Sequence, residues 1–304
     1  MFYCLFKKIF LGFRKSFYEF DKPRLELQVL PKEVLVESFN FGNDEKQSFN
    51  LFKTNDEKKP LLIDIHGGAW IYGDKDLNNM FCATMCQKGY DVISLGYRLV
   101  NDVLLKDIIF DIFNGLKYII SHKDELKIDL DKVYLTGDSA GGHLTLLVCS
   151  ILNNETLTHQ LDLPKLDLKI SAACLNHAVP YTDIAGRLDN HPILTKYVGQ
   201  PGLIRILYGK NFKYDVFYKL LANPTLYINK DSKLCPILIL TSEADTRYYY
   251  QSKMLHDYFD FINIKHEFIN EKNEKAYHVF NVLYPKNELG CKNNLLIDDF
   301  FKSN

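Results

Sequence analysis

The chain has no apolar run long enough to cross a bilayer, no block of like charge, no repeat and no paired cysteine pattern. A membrane helix needs about 20 consecutive apolar residues, and the N-terminal stretch that comes nearest is broken by Lys7 and Lys8. The same break argues against a secretory signal, whose apolar region is continuous. Lys and Arg number 37 against 38 Asp and Glu, so no global field gathers polyanions and nucleic acid is excluded as an expected partner. The cysteines, Cys4, Cys82, Cys86, Cys149, Cys174, Cys235 and Cys291, are odd in number and scattered. They read as reduced thiols of a cytoplasmic protein rather than a disulfide framework. Cys82 and Cys86 share one face of an expected helix, but no second Cys or His pair with ligand spacing accompanies them, and no metal is expected. With no Pro/Gly/Ser linker and no fixed period, residues 1–304 read as one continuous domain.

What the chain does have is apolar mass, 47% of residues, arranged as short β-rich runs alternating with helix-periodic ones. Strands are expected at 33–41, 47–53, 60–68, 91–97, 132–137, 168–175, 235–242 and 264–270. Helices are expected at 76–87, 101–121, 140–152 and 246–259, with a terminal helical region beyond His278. Eight strands alternating with helices predict an α/β fold, a mostly parallel sheet covered on both faces. Between the sixth and seventh strands the alternation lapses over 178–232, a stretch holding Tyr181, Tyr197, Tyr208, Phe212, Tyr214, Phe217 and Tyr218. An insertion there lies on the carboxyl side of the strands, where a lid over a ligand crevice would sit.

The first 22 residues carry Phe2, Phe6, Ile9, Phe10, Phe13 and Phe17 at helical spacing among Lys7, Lys8, Arg14 and Lys15. Two uses are open to this amphipathic helix: packing on the domain or roofing a pocket, and peripheral contact with an anionic membrane surface. The basic residues form no clean opposite face, which favours the first.

"TGDSAGGHLTLL", residues 136–147, puts glycines on both sides of Ser139 where a strand should become a helix. Glycine is costly inside either element, so its recurrence marks a backbone that turns sharply under close approach. Gly137-Asp138-Ser139-Ala140-Gly141 fits G-x-S-x-G, whose strand-turn-helix context lifts the serine hydroxyl above the sheet edge. A neutral serine is a weak nucleophile and needs a base, which needs an acid to orient it. Asp245, just past the seventh strand, is the expected acid, with Glu243 its close competitor and a helix N-cap its alternative use. Of the histidines beyond it, His256 falls in a helix and His266 in a strand. His278 lies in the loop after the last strand and is the expected base. "DIHGGAW" ends the third strand, and the amides of Gly67 and Gly68, with that of Ala140, are candidate oxyanion donors. His66 is expected to fix that loop rather than to move protons.

His66-Gly67-Gly68-Ala69-Trp70 with Gly73-Asp74, then Tyr97-Arg98-Leu99, then Gly137 to Gly142, together resemble the hormone-sensitive-lipase-like carboxylesterase branch of the α/β-hydrolase superfamily. The resemblance covers about 60–152 and 235–284. It implies a serine hydrolase of carboxylic esters, with small or medium acyl groups expected, working through Ser139, His278 and Asp245 with oxyanion donors Gly67, Gly68 and Ala140. It implies no cofactor and no metal, a small-molecule ester as partner, and structural roles for Arg98 and Asp111. Ala69 stands where the fuller HGGG form has a third glycine, a variant that resembles both small-ester hydrolases and arylformamidases. Ester and amide therefore both stay open as substrates. A non-catalytic ligand receptor on the same fold is the remaining alternative, disfavoured because all three triad candidates are present.

Overall fold

The computed structural model describes residues 2–185 and 200–304, the side chains of residues 2–6, 200 and 201 excepted. Strands β1 (Leu35–Asn40), β2 (Ser48–Lys53), β3 (Leu61–Ile65), β4 (Asp91–Leu95), β5 (Val133–Asp138), β6 (Ala172–Asn176), β7 (Ile237–Ser242) and β8 (His266–Glu271) form one sheet. Its order is β1-β2-β4-β3-β5-β6-β7-β8. β2 runs antiparallel to β1 and β4, and every pairing from β4 to β8 is parallel.

The central strands are buried along their whole length, as strands covered on both faces must be. Side chains alternate between two cores. Leu61, Ile63 and Ile65 join the larger core with α3 (Leu105–Ser121), α4 (Ala140–Leu152) and α8 (Tyr249–Ile262), while Leu62 joins the second with α2 (Asn79–Gln87) and α10 (Glu288–Lys302). α3 is amphipathic at the helical period, with Ile108, Ile109, Ile112, Phe113 and Leu116 inward. The expected helix at 101–121 starts four residues late, because Asn101 turns at φ 88° and the Asp107 carboxylate caps the Leu104 amide at 2.8 Å. The helix expected at 246–259 is likewise displaced to α8, and it ends at Asn263 in the left-handed region. α5 (Glu155–Gln160) and α9 (Phe280–Leu283) are short connectors.

The N-terminal helix α1 (Phe2–Glu26) lies against the domain. Arg14 donates to the carbonyls of Ile71 at 2.6 Å and Val100 at 3.0 Å, and Lys7 donates to that of Asn101 at 2.8 Å. These charges were candidates for an anionic membrane surface; they instead tie the helix to the segments following β3 and β4. Among the described residues no helix is long and apolar enough to cross a membrane.

The insertion between β6 and β7 contains α6 (Gln200–Tyr208) and α7 (Val216–Ala222). Tyr197 and its neighbours at 186–199 lie outside the described residues. Tyr208, Phe212 and Tyr218 pack on one another, with ring centroids 5.0 Å apart. His143 of α4 donates its Nε2–H to the Leu221 carbonyl at 2.8 Å, and burial pushes its pKa down to about 4, which keeps the ring neutral. Tyr181 and Tyr208 are buried in the larger core and Phe212, Phe217 and Tyr218 pack against it, while Tyr214 is exposed. Cys82, Cys86, Cys149, Cys174 and Cys235 are buried free thiols and Cys291 is exposed; the Cys4 side chain lies outside the described ones.

Candidate active site

Ser139 is the single residue between β5 and α4, and its backbone is held at φ 54°, ψ −115°, a region costly for a side-chain-bearing residue. What compels the geometry is close approach. A Cβ at Gly141 would overlap the Ile65 carbonyl oxygen, and one at Gly137 would overlap the Gly141 carbonyl. The two glycines let α4 seat directly on β3 and β5, and the serine hydroxyl stands clear at the strand ends.

Asp245 follows β7 and His278 follows β8, so all three side chains sit beyond the carboxyl ends of parallel strands. Ser139 Oγ lies 2.8 Å from His278 Nε2, and His278 Nδ1 lies 2.6 Å from Asp245 Oδ2. A carboxylate only accepts, so Nδ1 carries the proton and the Nε2 lone pair receives the serine O–H. Asp245 Oδ1 also accepts the Tyr248 amide at 3.3 Å, but the N-cap of α8 is Tyr248 itself, so Asp245 does not take the N-cap role that its position allowed. Glu243 is exposed and pairs with Lys272 and, at 3.0 Å, Asn270; it touches no imidazole.

A second imidazole also meets Asp245. His177, fully buried after β6, places Nδ1 3.1 Å from the same Oδ2. Burial pushes the Asp245 carboxyl up, but the N–H bonds from His177 and His278 overcome this and hold it well below the usual carboxylate range. Burial lowers the His177 pKa, partly offset by Asp245 and reinforced by the neighbouring His278. His177 escaped the sequence reading because chain order restricted the search to histidines beyond Asp245. A histidine at the end of a buried strand was the available signal.

The Gly67 expectation is corrected: its amide N–H is already donated to Asp138 Oδ1 at 3.0 Å. Asp138 also accepts from Asn78 Nδ2 at 2.8 Å, and Asn78 contacts Asp64 Oδ2 at 3.0 Å. Burial and the charge of Asp138 push the Asp64 carboxyl up to about 8, and burial raises Asp138 too. The Asn78 amide thus bridges the two buried carboxyls behind the loop that Asp138 anchors. The amides of Gly68, Ala69 and Ala140 make no hydrogen bond to another described residue. Gly68 and Ala69 have φ of 93° and 52°, which turns the loop toward Ser139. Ala69 was missed because alanine gives no sign of positive φ.

His66 behaves as a fixture. Its ring stacks on Tyr97 at 4.2 Å, its Nδ1–H faces the Gly67 carbonyl at 2.9 Å, and burial pushes its pKa down to about 4. Tyr97 donates its hydroxyl to the His66 carbonyl at 2.7 Å. Arg98 and Asp111 form a two-pronged ion pair at 2.7 and 2.8 Å, bracing the segment after β4.

The hydroxyl opens into a cavity of about 400 Å³. Among the described residues its roof comes from α1, through Phe17 and Phe20, with Tyr72, Leu77 and Leu283 as further apolar walls. None of the described residues of the 178–232 insertion lines it. A larger cavity of about 790 Å³ lies on the other side of Tyr72 and Leu77, away from Ser139 and His278.

A model of the BD-FAE family matches residues 49–259, more than half of the chain. The chain belongs to the BD-FAE family. Taken together with its esterase relatives and structural neighbours, this match places the chain in the hormone-sensitive-lipase-like carboxylesterase branch of the α/β-hydrolase superfamily. Over 121 residues it is 26% identical to isoprenylcysteine alpha-carbonyl methylesterase of Arabidopsis thaliana, covering 39% of this chain and 28% of that one. Over 97 residues it is 34% identical to Lipase 2 of a Moraxella strain, covering 32% and 22%. The match thus spans about a quarter of each of these curated relatives. A crystal structure of esterase B from Lactobacillus rhamnosis superposes with a TM-score of 0.88 at 26% identity, covering 98% of this chain and 96% of that one.

Proposed function

We propose that the protein is a serine hydrolase of carboxylic esters with small or medium acyl groups. The observation that carries this reading is the unbroken run of hydrogen bonds from Ser139 Oγ through His278 to Asp245, beside unpaired amides at Gly68, Ala69 and Ala140. Similarity to proteins named as esterases supports the same class.

In the proposed reaction His278 Nε2 takes the Ser139 proton as Oγ bonds to the ester carbonyl carbon, and the carbonyl π pair moves onto oxygen. The amides of Gly68, Ala69 and Ala140 receive that oxyanion, each such donor contributing about 2.7 to 4 kcal/mol in comparable enzymes. The C–O bond to the alcohol then breaks as His278 returns the proton to the departing oxygen. Water, deprotonated by the same imidazole, cleaves the acyl-enzyme and restores the serine. Asp245 keeps Nδ1 protonated throughout and stays ionised opposite the imidazolium. No cofactor is needed for any step.

The cavity volume lies near the small end of the range that ligand pockets span, and its surface is mostly apolar, through Phe17, Phe20, Tyr72, Leu77 and Leu283, although Asp21, Arg24 and Arg247 also line it, which fits an acyl chain beside a polar group. A p-nitrophenyl ester series from acetyl to decanoyl, run beside p-nitroanilides of the same acyl groups, tests the reading. The expected result is ester turnover well above amide turnover with an optimum at short to medium chains. Amide rates equal to ester rates would instead assign an amidase or arylformamidase using the same side chains.

A further inference from the structure

His256, Asp260 and His266 lie outside the site described above, on α8 and at the start of β8, and none of them lines its cavity. His256 and Asp260 are one turn apart on α8 and so share a face. The chain reverses at Asn263, which brings His266, the first residue of β8, against that face. His256 Nδ1 is 2.8 Å from His266 Nε2, and the Asp260 carboxylate lies 3.5 Å from His256 Nε2 and 3.6 Å from His266 Nε2.

Both rings are fixed in place before any ligand arrives. His256 stacks flat on Phe268 at 4.2 Å, and His266 sets its edge against Phe259 at 5.4 Å. His266 Nδ1 lies 2.8 Å from the Ile264 carbonyl, which can only accept, so Nδ1 carries the hydrogen and Nε2 presents a bare lone pair. A backbone carbonyl setting the tautomer of a histidine in this way is the usual arrangement behind a metal-bound imidazole.

We propose that His256, Asp260 and His266 bind a divalent transition-metal ion of the zinc type, cross-linking α8 to β8. Two imidazoles and a carboxylate suit zinc, nickel or copper, whereas magnesium and calcium prefer all-oxygen shells. With bonds of about 2.0 to 2.1 Å, tetrahedral ligands stand about 3.4 Å apart. The His266–Asp260 separation meets this, and the two ring nitrogens need to open by about half an ångström. On binding, His256 moves its proton from Nδ1 to Nε2, where the second Asp260 oxygen faces it, so no net proton is released. Asp260 is largely exposed, leaving the fourth position to water.

The test is zinc binding by the full chain after chelator treatment, followed by equilibrium dialysis and thermal unfolding. A His278→Ala background removes the other place where two histidines and an aspartate meet, at Asp245. We expect one zinc per chain and a rise in melting temperature on the order of 5 °C at a hundredfold excess over Kd, with no response to magnesium. Cobalt should give the visible absorption of a four-coordinate site. His256→Gln and Asp260→Asn, both at solvent-reachable positions, should fold and lose the stoichiometric zinc, with His266→Gln as a further check. Absence of zinc binding in the His278→Ala chain, or binding that survives His256→Gln and Asp260→Asn alike, overturns the proposal.

Discussion

His177 donates its Nδ1–H to the same Asp245 oxygen that receives the Nδ1–H of His278, at 3.1 and 2.6 Å respectively. The buried ring cannot reach substrate, so its effect passes through Asp245: it pins Oδ2 and helps keep the carboxylate ionised while His278 cycles. A hydrogen bond to a charged group contributes about 1.5 to 3 kcal/mol. His177→Ala should therefore lower kcat by roughly 10- to 100-fold with KM little changed. His177→Asn, whose amide can stand where Nδ1 stood and which tolerates the φ of 48° found here, should recover much of the loss. Equal damage from both substitutions would mean that the residue only fills space.

The Asp64–Asp138 pair makes stability depend on pH. Asp64 titrates near 4 when unfolded and at about 8 when folded, because burial and Asp138 oppose its charge. Its raised value means that the folded chain holds the extra proton, so the stability it contributes is complete below about pH 4 and is lost as pH rises through about 8. Asp64→Asn keeps an acceptor for Asn78 without the titration. Thermal midpoints measured from about pH 5 to about pH 9 should fall more steeply for the unmodified chain than for the variant. Parallel curves would show that Asp64 is not the group responsible.

α1 roofs the cavity with Phe17, whose ring lies 6.0 Å from that of Tyr72. Phe17→Ala removes apolar wall distant from the reacting atoms. It should lower kcat/KM for octanoyl esters by roughly 10-fold while leaving acetyl esters within about twofold, since a methylene-scale contact in an apolar pocket contributes about 1 to 3 kcal/mol. A uniform loss across chain lengths would assign α1 a purely structural part.

Gly141→Ala tests the close packing under the serine. The added methyl meets the Ile65 carbonyl, backbone that has no room to yield. We expect little soluble protein, or a midpoint lowered by more than 10 °C, an effect larger than most single substitutions cause. Normal stability would show that α4 can shift away from β3.

The sheet and its helices were readable because each element carried its own period: β-rich runs such as Leu61–Ile65 and the inward stripe of α3 announce themselves locally. Ser139 was readable for the same reason, through glycines that only close packing explains. Two kinds of information were absent. Positive φ at Ala69 leaves no mark in residue type, which displaced an oxyanion candidate to Gly67; Asn101 is of a type that does favour such a turn, yet the helical period alone carried the expected start of α3 back to it. Contacts between distant segments were equally silent: nothing in the chain says that Asp138 captures the Gly67 amide or that His177 reaches Asp245, and the N-terminal helix could be given a pocket to roof but not which one.

The central claim is that Ser139 Oγ is the atom that forms the acyl-enzyme. Treating the chain with a fluorophosphonate and mapping the modified peptide by mass spectrometry tests it most directly. The account predicts a single adduct on Ser139, abolished in Ser139→Ala together with about 10⁶-fold of ester turnover, and formed far more slowly in His278→Ala. An adduct on another residue, or ester turnover that survives Ser139→Ala in a folded protein, would contradict it.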